Sequence, residues 1–137
     1  MSRPIVVGYD GSDGAKSALG AASELADRLG CELVIAYGYE FSRMGGEVAD
    51  LAAALRELGE RMVEEGAERV ANAGVTVRRE VREGDPAHVL AELGDELHAT
   101  AIVVGTRGER PIVGAILGSL CHKLLHVAKV PVLVVPV

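Results

Sequence analysis

Five short, strongly apolar runs alternate with segments of helical periodicity along this chain, and that alternation restricts the fold more than any other feature. Ile5 to Gly8 is apolar on both faces, as expected of a strand in the middle of a parallel sheet that is covered on both sides. It runs into Tyr9, Asp10, Gly11, Ser12, Asp13 and Gly14, a turn-forming cluster. Ala15, Ala18, Leu19, Ala22, Leu25, Ala26 and Leu29 then recur at helical spacing, and Gly30 stands where a C-terminal cap belongs. Glu32 to Tyr39 reads as a second strand. The segment from Glu40 to Gly46 has no clear period and is expected to be a loop. Glu47 to Ala73 is the longest helical pattern, with Leu51, Leu55, Leu58, Met62, Ala67 and Val70 on one stripe and a solvated face of Glu and Arg on the other.

The second half repeats the scheme. Val75 to Val81 alternates only partly, which places this third strand toward an edge of the sheet. Gly84 turns the chain, Asp85 caps, Pro86 takes the first helical position, and Leu90, Leu93 and Leu97 form the apolar stripe. Ala101 to Val104 is a fourth strand, again apolar on both faces, followed by a helix over Ile116 to Val127 and a fifth strand over Val130 to Val135. Such alternation implies one α/β domain over 1–137, a parallel sheet with right-handed crossovers. Ligands of these sheets bind beyond the carboxyl ends of the strands, where strand order reverses. The two doubly apolar strands, the first and fourth, are the candidates for the pair flanking that point. Their exits carry Asp10 and a glycine-rich loop.

That loop, VGTRGERPIVGAILGSL from Val104 to Leu120, has the spacing Gly105-x2-Gly108-x9-Gly118-Ser119. Glycines admit close backbone approach, and the amides at a helix start favour phosphate, with Thr106, Arg107, Arg110 and Ser119 as further donors. From local composition alone, a turn without a ligand is an equal alternative. GYDGSDGAKS is not a P-loop, because an extra residue precedes Gly14 and Ala15 precedes Lys16. His122 and His126 lie four apart but lack a third ligand, so they are read as residues favourable to a helix C-terminus rather than as a metal site. No carboxylate pair or Ser-His-Asp set accompanies the loop, and no catalytic residue is assigned.

Composition narrows the partners. The 137 residues carry a net charge of -6, with one Phe, three Tyr and no Trp, leaving neither a basic face nor a stacking platform for nucleic acid. No apolar stretch approaches the ~20 residues of a membrane span, and the apolar run in MSRPIVVGYD is too short for a signal peptide, so a cytoplasmic protein without membrane attachment is expected. Cys31 and Cys121, far apart and without companion ligands, read as reduced structural thiols. The closing PVLVVPV is short, apolar and edge-like, which invites pairing with a second copy and predicts a homodimer through Val130 to Val135.

Taken together, IVVGYDGSDGAKSAL, VREGDPAHVLAEL and VVGTRGERPIVGAILGSLCHKLLHVAKVPVLVVPV resemble the universal stress protein family over essentially the whole chain. The glycine spacing is similar to the signature of the ATP-binding branch. The resemblance implies a Rossmann-like, doubly wound sheet of five strands in the order 3-2-1-4-5 with helices on both faces. It places Gly105, Thr106, Gly108, Gly118, Ser119 and Leu120 around ribose and phosphates, and Asp10 with Tyr37 and Gly38 on the adenine side. Tyr37 and Gly38 stand where a His-Val pair is common in the family, and VAKVP stands where a more compact small-residue and Cys pattern is frequent. The function so implied is that of a stress-response regulator that binds ATP with Mg²⁺ and signals to a protein partner, with Asp10 near the adenine amino group, the ribose hydroxyls or the metal. Two alternatives stand beside it. One is a slow ATPase, or autophosphorylation at a hydroxyl such as Ser119; the other is a nucleotide-free scaffold or chaperone-like dimer, or one tuned to a cyclic adenine nucleotide.

Overall fold

The computed structural model describes residues 3–41, 48–106 and 117–137. Arg107, Gly108 and Arg110 lie outside these residues, as does the loop expected at 40–46 apart from its first two positions. The elements are β1 (Ile5–Gly8), α1 (Asp13–Leu29), β2 (Leu33–Tyr39), α2 (Val48–Arg69), β3 (Val77–Glu83), α3 (Pro86–Glu96), β4 (Ala101–Gly105), α4 (Ser119–Val127) and β5 (Val132–Val135). All strand pairings are parallel, in the order β3-β2-β1-β4-β5. This is the doubly wound order that the family resemblance implied.

Strand alternation divides the core into two layers. Ile5, Val7, Leu33, Ile35 and Val103 pack with Ala18, Leu19, Ala22 and Ala26 of α1 and Val63 and Ala67 of α2. Val6, Val34, Ala36, Ile102 and Val104 face the other way, onto Leu90 and Leu93 of α3 and Cys121 and Leu124 of α4. That is why β1 and β4 are apolar at every position: both their faces are covered. Each fully buried Val, Leu or Ile contributes roughly 1.5–3 kcal/mol relative to exposure.

The helix ends follow local chemistry. Ser12 caps α1 by accepting from the Ala15 N–H at 3.2 Å, so the helix begins inside the turn cluster. Gly30, at φ 66°, closes it through its N–H to the carbonyls of Ala26 and Asp27. Asp85 and Pro86 open α3 as expected. Several boundaries differ from the sequence expectation. α2 ends at Arg69 instead of Ala73, because Val70, Ala71 and Ala73 bond three residues back and unwind the chain toward Gly74. β3 is shifted two residues along, Val77–Glu83 instead of Val75–Val81, pairing Arg82 with Gly38 and Glu83 with Tyr39, and β5 begins at Val132 instead of Val130. α4 begins at Ser119, not Ile116.

Of the apolar stripe read in the sequence for α2, Ala67 and Val70 are buried and Met62 packs against the core, but the part before Gly59 is not buried. The buried residues of the helix are Gly59, Val63, Gly66 and Ala67, while Leu51 is exposed and no residue from Val48 to Leu58 is buried. The helix approaches the sheet most closely at Gly59, where an added Cβ would lie 2.7 Å from Val81 Cγ1 and 2.8 Å from Tyr37 Cδ1. Among the described residues, no helix is long and apolar enough to cross a membrane. The layers determine where a ligand can enter. α1 leaves β1 toward one face and α4 leaves β4 toward the other, so a crevice opens between the carboxyl ends of these neighbouring strands.

Candidate functional site

A cleft of about 660 Å³ occupies that crevice, extending to the end of β2 and bordered by α1, α3 and α4. Its size is that of a small-molecule site. The helix starts around it are not equivalent. Ser12 caps α1, and Asp85 Oδ2 accepts from the His88 N–H at 3.3 Å to cap α3. α4 starts on Gly118, which has no side chain to offer as a cap. The Gly118 N–H donates to Thr106 O at 2.7 Å, and the first bond within the helix runs from His122 N–H to Gly118 O at 3.2 Å. The amides of Ser119, Leu120 and Cys121 thus precede the helical ladder, in residues that line the cleft. A helix start of this kind, with the positive end of the macrodipole behind it, attracts anions.

Asp10, Tyr37, Gly38, Gly105, Thr106, Gly118, Ser119 and Leu120, all candidates from sequence, line the one cleft. Asp10 Oδ1 accepts from the Ser12 N–H at 3.0 Å and from the Ser12 hydroxyl at 2.6 Å, so the carboxylate organises the turn before α1 as well as facing the cleft. The end of β2 passes tightly beneath α3: a Cβ on Gly38 would come 3.0 Å from both Pro86 Cα and Val89 Cγ2. Tyr37 packs its ring on the α1/α2 side, against α2 near Gly59.

Gly105 has a different basis from the one its place in the motif suggested. A Cβ there would stand 2.5 Å from Gly14 O and 2.6 Å from Gly14 C, so the missing side chain makes room for the first turn of α1. The Gly105 carbonyl accepts from the Cys121 thiol at 2.9 Å, and Thr106 N–H donates to Val135 O at 3.0 Å. The backbone between β4 and α4 is therefore fixed by β5, α4 and α1 together.

Three further lining residues escaped sequence reasoning as site residues: Tyr9, Asp85 and Lys123. Tyr9 donates its hydroxyl to Glu65 Oε1 of α2 at 2.6 Å, and burial together with the Glu65 carboxylate pushes its pKa up to about 12. Lys123 Nζ lies 2.9 Å from Asp85 Oδ1, and His88 Nδ1 lies 2.9 Å from Asp85 Oδ2. Burial raises the Asp85 carboxyl, but the hydrogen bonds from Lys123 and His88 outweigh it and hold the group below its ordinary value. The one available signal for Lys123 was its spacing, four residues after Ser119 and so on the same helical face. Nothing local pairs it with Asp85.

Tyr9 stays protonated at neutral pH, and burial raises the Cys121 thiol. Asp10 and Asp85 already accept hydrogen bonds. Cys31 is likewise a free, buried thiol, raised by burial. His126 Nδ1 lies 2.8 Å from the His122 carbonyl, which ties that nitrogen to the last turn of α4. Among the described residues, no group of three or more His, Cys, Asp or Glu could hold a metal ion by themselves. A Mg²⁺ ion carried in by phosphates asks less, one or two carboxylates being its usual protein share, and Asp10 fits that requirement.

The family model described as the universal stress protein family matches residues 1–136. A Thermus aquaticus relative, the universal stress protein in the QAH/OAS sulfhydrylase 3′ region, is 35% identical over 148 residues, covering 98% of this chain and 99% of its own. A solved universal stress protein in complex with cAMP has a TM-score of 0.74 at 31% identity, covering 97% of this chain and 96% of that one. Hypothetical protein MJ0577 has a TM-score of 0.86 at 20% identity, covering 100% and 97%, a likeness of fold.

Proposed function

This chain belongs to the universal stress protein family, and on that footing we propose that it is a cytoplasmic stress-response regulator that binds ATP in the cleft at the ends of β1 and β4. The observation that carries the proposal is the start of α4 at Gly118, which has no side-chain cap and whose following residues Ser119, Leu120 and Cys121 line the cleft. Phosphates rest on the amides of Ser119, Leu120 and Cys121 and on the Ser119 hydroxyl. Asp10 receives the ribose hydroxyls, the adenine amino group or a Mg²⁺ ion bound to the phosphates. By the glycine motif Arg107 and Gly108 are further phosphate ligands, outside the described residues, and Tyr37 and Gly38 border the base. Charge-assisted hydrogen bonds contribute roughly 1.5–3 kcal/mol each, so three or four supply about 5–12 kcal/mol, and burial of the base supplies the remainder that micromolar binding requires over association costs.

ATP acts here as a state marker, and a partner protein distinguishes loaded from empty molecules. The protonated Tyr9 and Cys121 and the occupied carboxylates favour this over turnover. The protein works as a homodimer paired through β5. The opposite edge, β3, carries Arg78, Arg79, Glu80, Arg82 and Glu83, which oppose strand addition, whereas β5 presents Val132, Leu133, Val134 and Val135. A cyclic adenine nucleotide is a second reading, favoured by the 31% identical structure that holds cAMP.

Mass spectrometry of nucleotide released from freshly purified, denatured protein, followed by calorimetric titration of ATP with Mg²⁺ and of cAMP, tests the proposal. ATP in the released fraction and heat on titration, both lost in Gly118→Val with the fold intact, are expected. Gly118 has φ -73° and ψ 170°, a conformation open to valine, so the variant tests the site rather than the backbone. Absence of nucleotide and of heat would overturn it in favour of a scaffold, and tighter binding of cAMP than ATP would favour the second reading.

A further inference from the structure

The proposed nucleotide site leaves Lys123 and its partner Asp85 without a role, although both line the cleft. Among the described lining residues, Lys123 is the sole cation, set against the carboxylates of Asp10 and Asp85. It sits one turn after Ser119 on the same face of α4, and helical side chains lean back toward the helix start. Its stem therefore leans toward the Ser119 end of α4, and its ammonium meets Asp85 Oδ1, 2.9 Å away at the start of α3. The two ends of this bridge differ in freedom. The Lys123 side chain is 51% exposed and can swing, whereas that of Asp85 is 20% exposed and is also fixed by the His88 N–H and the His88 ring.

Resting on the reading of the cleft as a nucleotide site, we infer that Lys123 adds to the discrimination of phosphorylated from unphosphorylated ligand, and that Asp85 holds it in reserve until a phosphate arrives. A phosphate on the α4 amides stands within reach of the ammonium and outcompetes a single carboxylate for it, because it offers more charge and more acceptor oxygens. When Lys123 leaves, Asp85 keeps the two contacts to His88 and is not stranded. The transfer also removes a bridge between α3 and α4, so arrival of a phosphate, and not of a nucleoside, loosens the tie between those helices.

Adenosine and AMP, which differ only in the phosphate, are the probes, titrated by calorimetry into the wild type and into Lys123→Met, Lys123→Arg and Asp85→Asn. Asparagine caps a helix about as well as aspartate, so Asp85→Asn removes the charge and keeps the α3 start. The readout is the preference for AMP over adenosine. For a half-exposed cation we expect that preference to fall about fivefold in Lys123→Met, to stay close to wild type in Lys123→Arg, and to rise about threefold in Asp85→Asn. Equal weakening of both ligands in Lys123→Met, or an unchanged preference in that variant or in Asp85→Asn, would overturn the inference while leaving the nucleotide site standing. A wild type that binds neither probe nor ATP would overturn the site itself and the inference with it.

Discussion

Gly105 separates two reasons for a glycine in a ligand loop, and replacing it with alanine distinguishes them. Read as part of a phosphate motif, the residue lacks a side chain so that a ligand can approach. In the structure the space is already taken: a Cβ at Gly105 would lie 2.5, 2.6 and 2.8 Å from the O, C and Cα atoms of Gly14. These are backbone atoms in the first turn of a helix whose Ala15, Ala18, Leu19, Ala22 and Ala26 are all buried against the sheet, so relief requires α1 to shift as a body. Overpacking costs about 1–3 kcal/mol, and an obstacle of backbone places Gly105→Ala near the upper end, at about 3 kcal/mol. For a chain of this length, 1 kcal/mol corresponds to roughly 4 °C in Tm, giving a fall of about 12 °C. Thermal and urea denaturation followed by circular dichroism, on nucleotide-free protein, measure it. Gly20→Ala is the matching control: Gly20 lies in the same helix with nothing within 4 Å of an added Cβ, and that change should stabilise by about 0.5–1 kcal/mol. If Gly105→Ala stayed within about 0.5 kcal/mol of wild type while nucleotide binding vanished, the packing explanation would be refuted and the ligand explanation restored.

Further predictions concern pH and assembly. Tyr9, pushed up to about 12, stays protonated in the folded state while the unfolded chain releases its proton near pH 10, so its contribution is full below about pH 10 and is lost as pH rises through about 12. Wild type should therefore lose more stability than Tyr9→Phe across that interval in urea titrations, and parallel losses would contradict the Glu65 hydrogen bond. Asp85, held below its ordinary value, contributes above the unfolded carboxyl pKa of about 4 and loses that contribution as pH falls through its folded value. Asp85→Ala should cost about 1 kcal/mol at neutral pH, with a difference from wild type that shrinks on acidification; a difference independent of pH would count against the Lys123 and His88 contacts. Leu133, 41% exposed on the edge strand β5, should convert the proposed dimer to monomer when changed to lysine, as read by sedimentation velocity. A wild type that is already monomeric at micromolar concentration would remove the basis of that proposal.

Much of the site was legible because its parts are local. Gly118 and Ser119 at a strand-to-helix junction, Asp10 after a doubly apolar strand and Pro86 after a capping aspartate are each short-range patterns with a direct physical meaning. The bridge from Lys123 to Asp85 spans 38 positions, and that from Tyr9 to Glu65 spans 56, so neither has a sequence period to announce it. On α2 the Met62, Ala67 and Val70 end of the stripe meets the core, but the Leu51 to Leu58 end does not, for a related reason. Leu51, Leu55 and Leu58 carry the larger apolar side chains, yet the sheet is met at Gly59, Val63 and Gly66, where small residues allow close contact.

What the sequence by itself determined are the properties carried by neighbours along the chain: the alternation of strands and helices, the burial of β1 and β4 on both faces, the caps at Gly30 and Asp85, and the glycine junction before α4. Period and capping depend on dihedral preference and on side chains three or four positions away, which a linear reading contains. The tertiary structure decided which separated residues meet. It set Gly105 against Gly14, turned Asp85 into the partner of Lys123, and started α4 on a glycine with no side chain to cap it, while the starts of α1 and α3 were closed by their own side chains. Those outcomes depend on how two helices cross the ends of one sheet, a geometry that exists only once both core layers have packed.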